Sequence, residues 1–134
     1  MSLEAAIKAR IAAHAGLTAL VSGRVFNTYV SPLPTRPYLI VRMIDGPGRA
    51  RSMGNGATLI AQRVQVTVIS ESASSEIAVH AQVMAALDWL TGTFAGTAIE
   101  LSYAEGAKIV LPPNATQPDL RESSQDFIFH YRVA

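Results

Sequence analysis

Residues 58–70 read TLIAQRVQVTVIS. Val64, Val66 and Val68 fall on one parity, and Arg63, Gln65 and Thr67 on the other. Successive side chains of a strand point to opposite faces, so this run predicts a long strand with one apolar and one polar face. A strand of a doubly wound parallel sheet, buried on both faces, would read as an unbroken apolar run instead. The stretch therefore points to a mainly antiparallel sheet covered on one side. The run DFIFHYRV (126–133) repeats the pattern, with Phe127, Phe129, Tyr131 and Val133 inward.

Working outward, YLIVRMI (38–44) and RVFNTYV (24–30) read as two earlier strands. Between them SPLPTRP (31–37) carries three prolines, which remove donors and fix φ, so it is irregular. AIELSY (98–103) and AKIVL (107–111) are shorter strands, and PPNATQPDLRESS (112–124) is a loop. Helical spacing appears twice. In LEAAIKARIAAHA (3–15), Leu3, Ile7 and Ile11 form an apolar line. Ser2 is its N-cap, Glu4 suits the first turn, Lys8 and Arg10 lie towards the exposed side, and Gly16 is the stop. In EIAVHAQVMAALDWL (76–90), Ile77, Ala81, Met84, Leu87 and Leu90 make a stripe, and Gly92 and Gly96 end the helix. The expected fold is α+β: a mainly antiparallel β-sheet with two α-helices packed on one face and a long hairpin arm between the second and third strands.

Size and composition narrow the classes. A chain of 134 residues is the size of one domain. Charged residues make up 16 %, against a usual share of about 25 %. Alanine supplies much of the apolar excess, and the remainder hints at surface covered by partners. The chain has no cysteine, which removes disulfides and thiolate metal sites. Its opening, MSLEAAIKAR, lacks the apolar core of a secretory signal, and no apolar run approaches the roughly 18 residues of a membrane span. Both points lead to the expectation of a protein made in the cytosol, with no membrane partner. The net charge of +1 conceals a division. Residues 1–70 hold eight Lys/Arg and two acids, whereas 71–134 hold three Lys/Arg and eight acids. Either the two sets mix on one surface, or they form two faces of opposite sign suited to a head-to-tail contact.

GPGRARSMGNG (46–56) holds four of the nine glycines. A phosphate-binding P-loop requires GxxxxGK[ST] ahead of a helix, and a dinucleotide fingerprint requires GxGxxG. Here no lysine follows, the third glycine is missing and the next element is a strand. The stretch reads as a long hairpin tip, with Arg49 and Arg51 as its contact residues. His14, His80 and His130 show no metal-ligand spacing. His80 is expected at a core edge with a hydrogen bond, and His130 outward beside Arg132. No GxSxG occurs. Asp126 and His130 share a strand face but stand about 13 Å apart along it. Arg42, Arg49, Arg51 and Arg63 could meet phosphates, but the stretch lacks interleaved aromatics and the chain is not strongly basic. An enzymatic site is therefore unsupported, and a small nucleic-acid-binding accessory domain is a weaker alternative.

Several segments taken together carry a resemblance. They are MSLEAAIKARI at the start, LxxLVSGRVF (17–26), RPYLIVRMIDG (36–46), RVQVTVIS (63–70), VMAALDWLTG (83–92) and DFIFHYR (126–132). In this order they resemble the small tail-terminator or tail-completion proteins of long-tailed bacteriophages and gene transfer agents. The resemblance covers most of the chain, matches least over 104–121, and implies a single tail-terminator-like domain over 1–134. It implies a structural, non-enzymatic role without cofactors: a homo-oligomeric ring, commonly a hexamer, at the head-proximal end of the tail tube. Such a ring ends tube polymerisation and docks the head connector. The partners it implies are the tail-tube protein and the head-tail connector or stopper protein, and the place is the head-tail junction of the virion. A head-tail adaptor is the near alternative. Arg42, Arg49, Arg51, Met53, Asn55 and Arg63 are the expected protein-interface residues.

Overall fold

A computed structural model describes residues 2–28, 35–44, 50–52, 58–111 and 120–133, with backbone alone at 50–52 and 133. Three helices appear among these residues: α1 (Leu3–Ala13), α2 (Ala15–Val21) and α3 (Ala73–Leu87). The strands are β1 (Val25–Phe26), β2 (Tyr38–Ile44), β3 (Ala50–Ser52), β4 (Thr58–Ser70), β5 (Leu90–Phe94), β6 (Thr97–Leu111) and β7 (Arg121–Val133). They form one sheet in the order β1-β2-β4-β7-β6-β5, with β3 also paired to β4. Every pairing is antiparallel except that of β1 with β2. The α+β, mainly antiparallel expectation holds; the count of two helices does not.

The extra helix comes from a break in the first. α1 is capped by Ser2, whose Oγ accepts a hydrogen bond from the Ala5 amide at 3.1 Å. It stops two residues early because His14 is extended, and the chain restarts as α2. Gly16 is no stop. It lies inside α2, where a β-carbon would sit 2.1 Å from Gln82 Oε1, so the glycine leaves room for the Gln82 side chain of α3. His14 Nε2 and Gln82 Oε1 lie 3.0 Å apart across that contact. Arg10 is not on an open side either. Its Nε donates to the Ala86 carbonyl at 2.9 Å, a cation at the C-terminal end of α3.

α3 begins three residues before its expected start. Ser72 caps it, accepting from the Ser75 amide at 3.1 Å. Its buried side is Glu76, Val79, Val83, Ala86 and Leu87, which shares only Leu87 with the expected stripe. The helix is apolar nearly all round, so periodicity allowed two stripes. Valines against the sheet won, and Ile77 is left 60 % exposed. The helix ends at Asp88, short of the expected Leu90, and residues 90–94 form β5. Ala95 and Gly96, both at positive φ, make the two-residue turn into β6. The runs 98–103 and 107–111 are one strand, with its register shifted between Glu105 and Ile109. Of the expected loop at 112–124, residues 121–124 are already strand β7, while 112–119 lie outside the described residues. The strand expected at 24–30 is reduced to Val25–Phe26, with 29–30 outside the described residues.

The main core lies between the helices and one sheet face. Leu39 and Val41 of β2, Val64, Val66 and Val68 of β4, and Phe127 and Phe129 of β7 are buried there against Leu3, Ile7, Ile11, Leu17 and Val83. The other face is open over most of its area, but not at one end. Tyr38, Ile40 and Ile69 are buried there with Phe26 and Leu120 packed against them, a second small cluster that the alternation did not reveal.

Candidate protein-interaction surface

The side chains on the sheet face away from the helices come from alternate positions of β2, β4, β7 and β6. One register row crosses it: Arg42 faces Gln65, Gln65 faces Asp126 and Asp126 faces Glu105. Residues directly opposite in antiparallel strands share a face, so the four side chains form one polar line. Arg42 and Glu105 at its ends are exposed, and neither has an ion pair among the described residues. In the middle, Arg63 Nη1 lies 2.8 Å from Asp126 Oδ2. Three same-face positions further along β7, Arg132 pairs with Glu100.

Aromatic rings lie beside the ion pairs. Tyr103 stacks on His130 with centroids 5.8 Å apart, and Trp89 leans on Tyr103 at 6.2 Å. Trp89 follows the end of α3 with φ of 56° and is 71 % exposed. His130 thus points outward, as expected, but its neighbour is Tyr103. The far end of β6 adds Ile109, Val110 and Leu111, exposed by 63, 54 and 41 %. Consecutive exposed aliphatics on a strand leave apolar surface on both sheet faces at that end.

The helix-covered face holds a buried polar cluster. Glu76 accepts from Lys108 Nζ at 2.9 and 3.1 Å and from Ser123 Oγ at 2.6 Å. The register shift in β6 brings Lys108 to it, and the Gln125 amide donates to the Gly106 carbonyl at 3.0 Å within the same irregularity. Burial pushes the Glu76 carboxyl up, but the hydrogen bonds of Ser123 and Lys108 and the nearby ammonium outweigh it, and its pKa lies below the ordinary value. His80 sits at the edge of this cluster, 3.4 Å from Gln125 Oε1, in the core-edge setting expected of it. The carboxylate is held under α3 with its bonds filled by the chain, so the cluster locks α3 to β6 and β7. A cleft lined by Lys8, Ile11, Ala12, Thr18, Val21, Gly23 and Val25 is mostly apolar. Among the described residues no group of three or more metal-ligating side chains converges, and no helix is long and apolar enough to cross a membrane.

The structure separates the six expected interface residues. Arg42 and Arg63 lie on the open face, and Arg63 is tied to Asp126. Arg51 is in β3, opposite Leu59, where its backbone alone is described. That short strand corrects the reading of 46–56 as a loop throughout: Ala50–Ser52 pair with Thr58–Ile60. Arg49, Met53 and Asn55 lie outside the described residues. Glu105, Trp89 and Tyr103 were missed. Nothing local to Glu105 announces that its row ends on Arg42.

Three helices on one face of a seven-stranded sheet, with ionic and aromatic rows on the other, define an α+β domain with one sheet face left largely open. The chain belongs to the family described as "Tail completion protein gp17", which matches residues 5–129, and so to the structural proteins that complete phage tails. A chain in the solved "Virion of native gene transfer agent (GTA) particle" shares the fold, with a TM-score of 0.73 and 19 % identity over 98 % of this chain and 96 % of that one. No curated protein matches the sequence.

Proposed function

We propose that the protein closes into a ring, commonly of six copies, on the head-proximal end of a phage-type tail tube. The ring ends tube polymerisation and offers a docking face to the head-tail connector. The family match over residues 5–129 is the observation that carries this reading. The likeness to a chain of a gene transfer agent virion is consistent with a place in the tail of such a particle.

The fold suits the role physically. A closed ring requires two different patches on each subunit, because the same patch meeting itself closes a dimer. The open face and the exposed ends of β2 and β6 supply distinct surfaces. Within this reading Arg42, Arg49, Arg51, Met53, Asn55 and Arg63 contact a neighbouring copy, the tail-tube protein or the connector. The arginines are a weaker footing for nucleic acid, since Arg63 is already neutralised by Asp126.

Native mass measurement and electron microscopy of the purified protein, alone and mixed with tail tubes, test the proposal. The expected result is a ring of defined copy number that caps one tube end. A protein that stays monomeric and leaves tube length unchanged refutes it.

A further inference from the structure

One end of the sheet carries an apolar ridge. β5 covers β6 only as far as Ser102, so β6 is the outermost strand over Glu105–Leu111 among the described residues. Val110 is exposed there. Its register partner Ser123 is bonded to Glu76 of α3, so Val110 lies on the helix-covered face. Ile77, also exposed, follows Glu76 in α3. It precedes Gln82 by five residues, which turns it about 140° round the helix from the side that meets α2. Two aliphatic side chains thus stand in solvent at the β6 end of the helix layer.

The β1 end carries a cleft of about 260 Å³ between α1, α2 and β1. Ile11, Ala12, Val21 and Val25 make its wall mostly apolar, and Lys8 stands at its side. This side of α1 faces β1, since Glu4, one turn before Lys8, accepts from Asn27 Nδ2 at 3.0 Å. An apolar cavity of about 150 Å³ already takes a benzene ring, so the cleft has room for two aliphatic side chains. Cleft and ridge lie in one register row. Val25 pairs with Leu39, Leu39 with Val68, Val68 with Ser123 and Ser123 with Val110. Val25, Leu39 and Val68 all contribute to the main core, which places the row on the helix-covered face from end to end.

From this match we infer that copies of the chain join by ridge and cleft, with Ile77 and Val110 at the β6 end of one copy entering the cleft at the β1 end of the next. The inference rests on the ring reading above and specifies its contact. A contact between two different ends of a subunit is heterologous, and so it propagates around a ring. Because ridge and cleft share a row, a side-by-side repeat of the sheet brings them together at one level along the strands. The open face repeats the match one residue along. Phe26 pairs with Ile40, Ile40 with Thr67, Thr67 with Ser124 and Ser124 with Ile109, so exposed Ile109 arrives beside half-buried Phe26. Trp89 does not suit the cleft. It stacks on Tyr103, whose row ends at Ile44 of β2, five residues and about 17 Å along the strand from Leu39. Charge assists the join and opposes its two-fold rival. The cleft is drawn from residues 1–70, with eight Lys/Arg and two acids, and the ridge from residues 71–134, with three and eight. Ridge against ridge would set the acidic part against itself and leave both clefts unfilled.

The chain has no cysteine, so introduced thiols report the contact directly. The full-length double variant A12C/V110C, treated with a short bismaleimide under assembling conditions, is expected to give a covalent ladder that stops at the copy number of the ring. A12C and V110C alone are expected to stay uncoupled. V110D, which carries a charge into an apolar cleft, is expected to raise the concentration needed for assembly by about tenfold or more in native mass and sedimentation series. Circular dichroism and thermal melting confirm that each variant is folded. A double variant that assembles without giving a ladder, V110C alone coupling into dimers as readily as the double variant, or V110D assembling like the original protein overturns the ridge-and-cleft contact and leaves the ring reading intact. A wild-type protein that never self-associates, even on tail tubes, overturns both.

Discussion

Replacing Lys108 by methionine keeps the length and apolar stem of the side chain and removes only the ammonium. The carboxylate it leaves is deeply placed: the side chain of Glu76 is 6 % exposed and that of Lys108 is 23 % exposed. Glu76 then retains the Ser123 hydroxyl as its sole bond partner among those given above. Breaking a buried ion pair from one side costs about 3–5 kcal/mol. Water reaching the vacated Lys108 position lowers the expectation to about 2–3 kcal/mol at pH 7.5. Proton uptake sets a ceiling. The ordinary carboxyl pKa here is 4.5, and each pH unit above it is worth about 1.4 kcal/mol. Neutralising Glu76 therefore limits the charge-burial loss to about 3.4 kcal/mol at pH 7 and to under about 1 kcal/mol at pH 5.

The two proteins must consequently respond to pH in opposite senses. In the wild type the folded pKa of Glu76 is depressed, so its contribution is complete above 4.5 and is lost as pH falls through the folded value. In K108M the Ser123 hydroxyl and His80 still oppose burial, but without the ammonium burial prevails, the folded pKa is expected to rise, and acid relieves the defect. Urea unfolding at fixed protein concentration and ionic strength, from pH 4.5 to 8, measures both curves. The gap is expected to shrink steadily with falling pH and to lose its pH dependence in the double variant E76Q/K108M. A deficit below about 0.5 kcal/mol at pH 7.5, or one independent of pH, refutes the assignment of Glu76 as a buried, lysine-held carboxylate.

Three other outcomes are expected. Phe127→Ala, at a side chain with no solvent exposure between β4, β6 and the helices, should cost about 3–5 kcal/mol in the same assay. Ser72→Ala should remove about 1 kcal/mol by uncapping α3, and Ser72→Asp should recover most of it; equal losses from both would argue against the cap. A double-mutant cycle on Arg63 and Asp126 should give a coupling below about 1 kcal/mol that weakens in high salt, since the Arg63 side chain is 40 % exposed.

The elements whose patterns are strict were readable from the chain. Val64, Val66 and Val68 alternate without exception, as do Phe127 and Phe129, and these residues form the sheet side of the core. Ser2 and the Leu3–Ile7–Ile11 line located α1 because capping and a four-residue repeat are both local. α3 was harder, since alanine and valine on every side leave its rotation undetermined until Glu76 finds Lys108 and Ser123 far along the chain. β5 went unread because Leu90 was counted into the helix, the rest of Leu90–Phe94 is short and carries a glycine, and the Ala95–Gly96 turn was not recognised as a hairpin signal. The second cluster, Tyr38 with Ile40 and Ile69, depends on Phe26 and Leu120 arriving from distant segments. The candidate surface was half legible. Arg42 stood out as an arginine on a polar face, whereas Glu105 gains meaning only from a register spanning four strands.

β7 follows every other element in the chain, yet it stands third from one end of the sheet order, where the strands of residues 71–134 meet those of residues 1–70. It is a keystone rather than a border. Thr58 meets Val133, Ser70 meets Arg121, and all thirteen residues of β4 find partners along it. A chain cut before Arg121 does not present a slightly narrower sheet. It falls into two ribbons, β1-β2-β4-β3 and β6-β5, that share no strand pairing. Neither ribbon has Phe127 or Phe129 to fill the space under the helices. Limited proteolysis should accordingly yield either intact protein or small peptides, with no stable trimmed core.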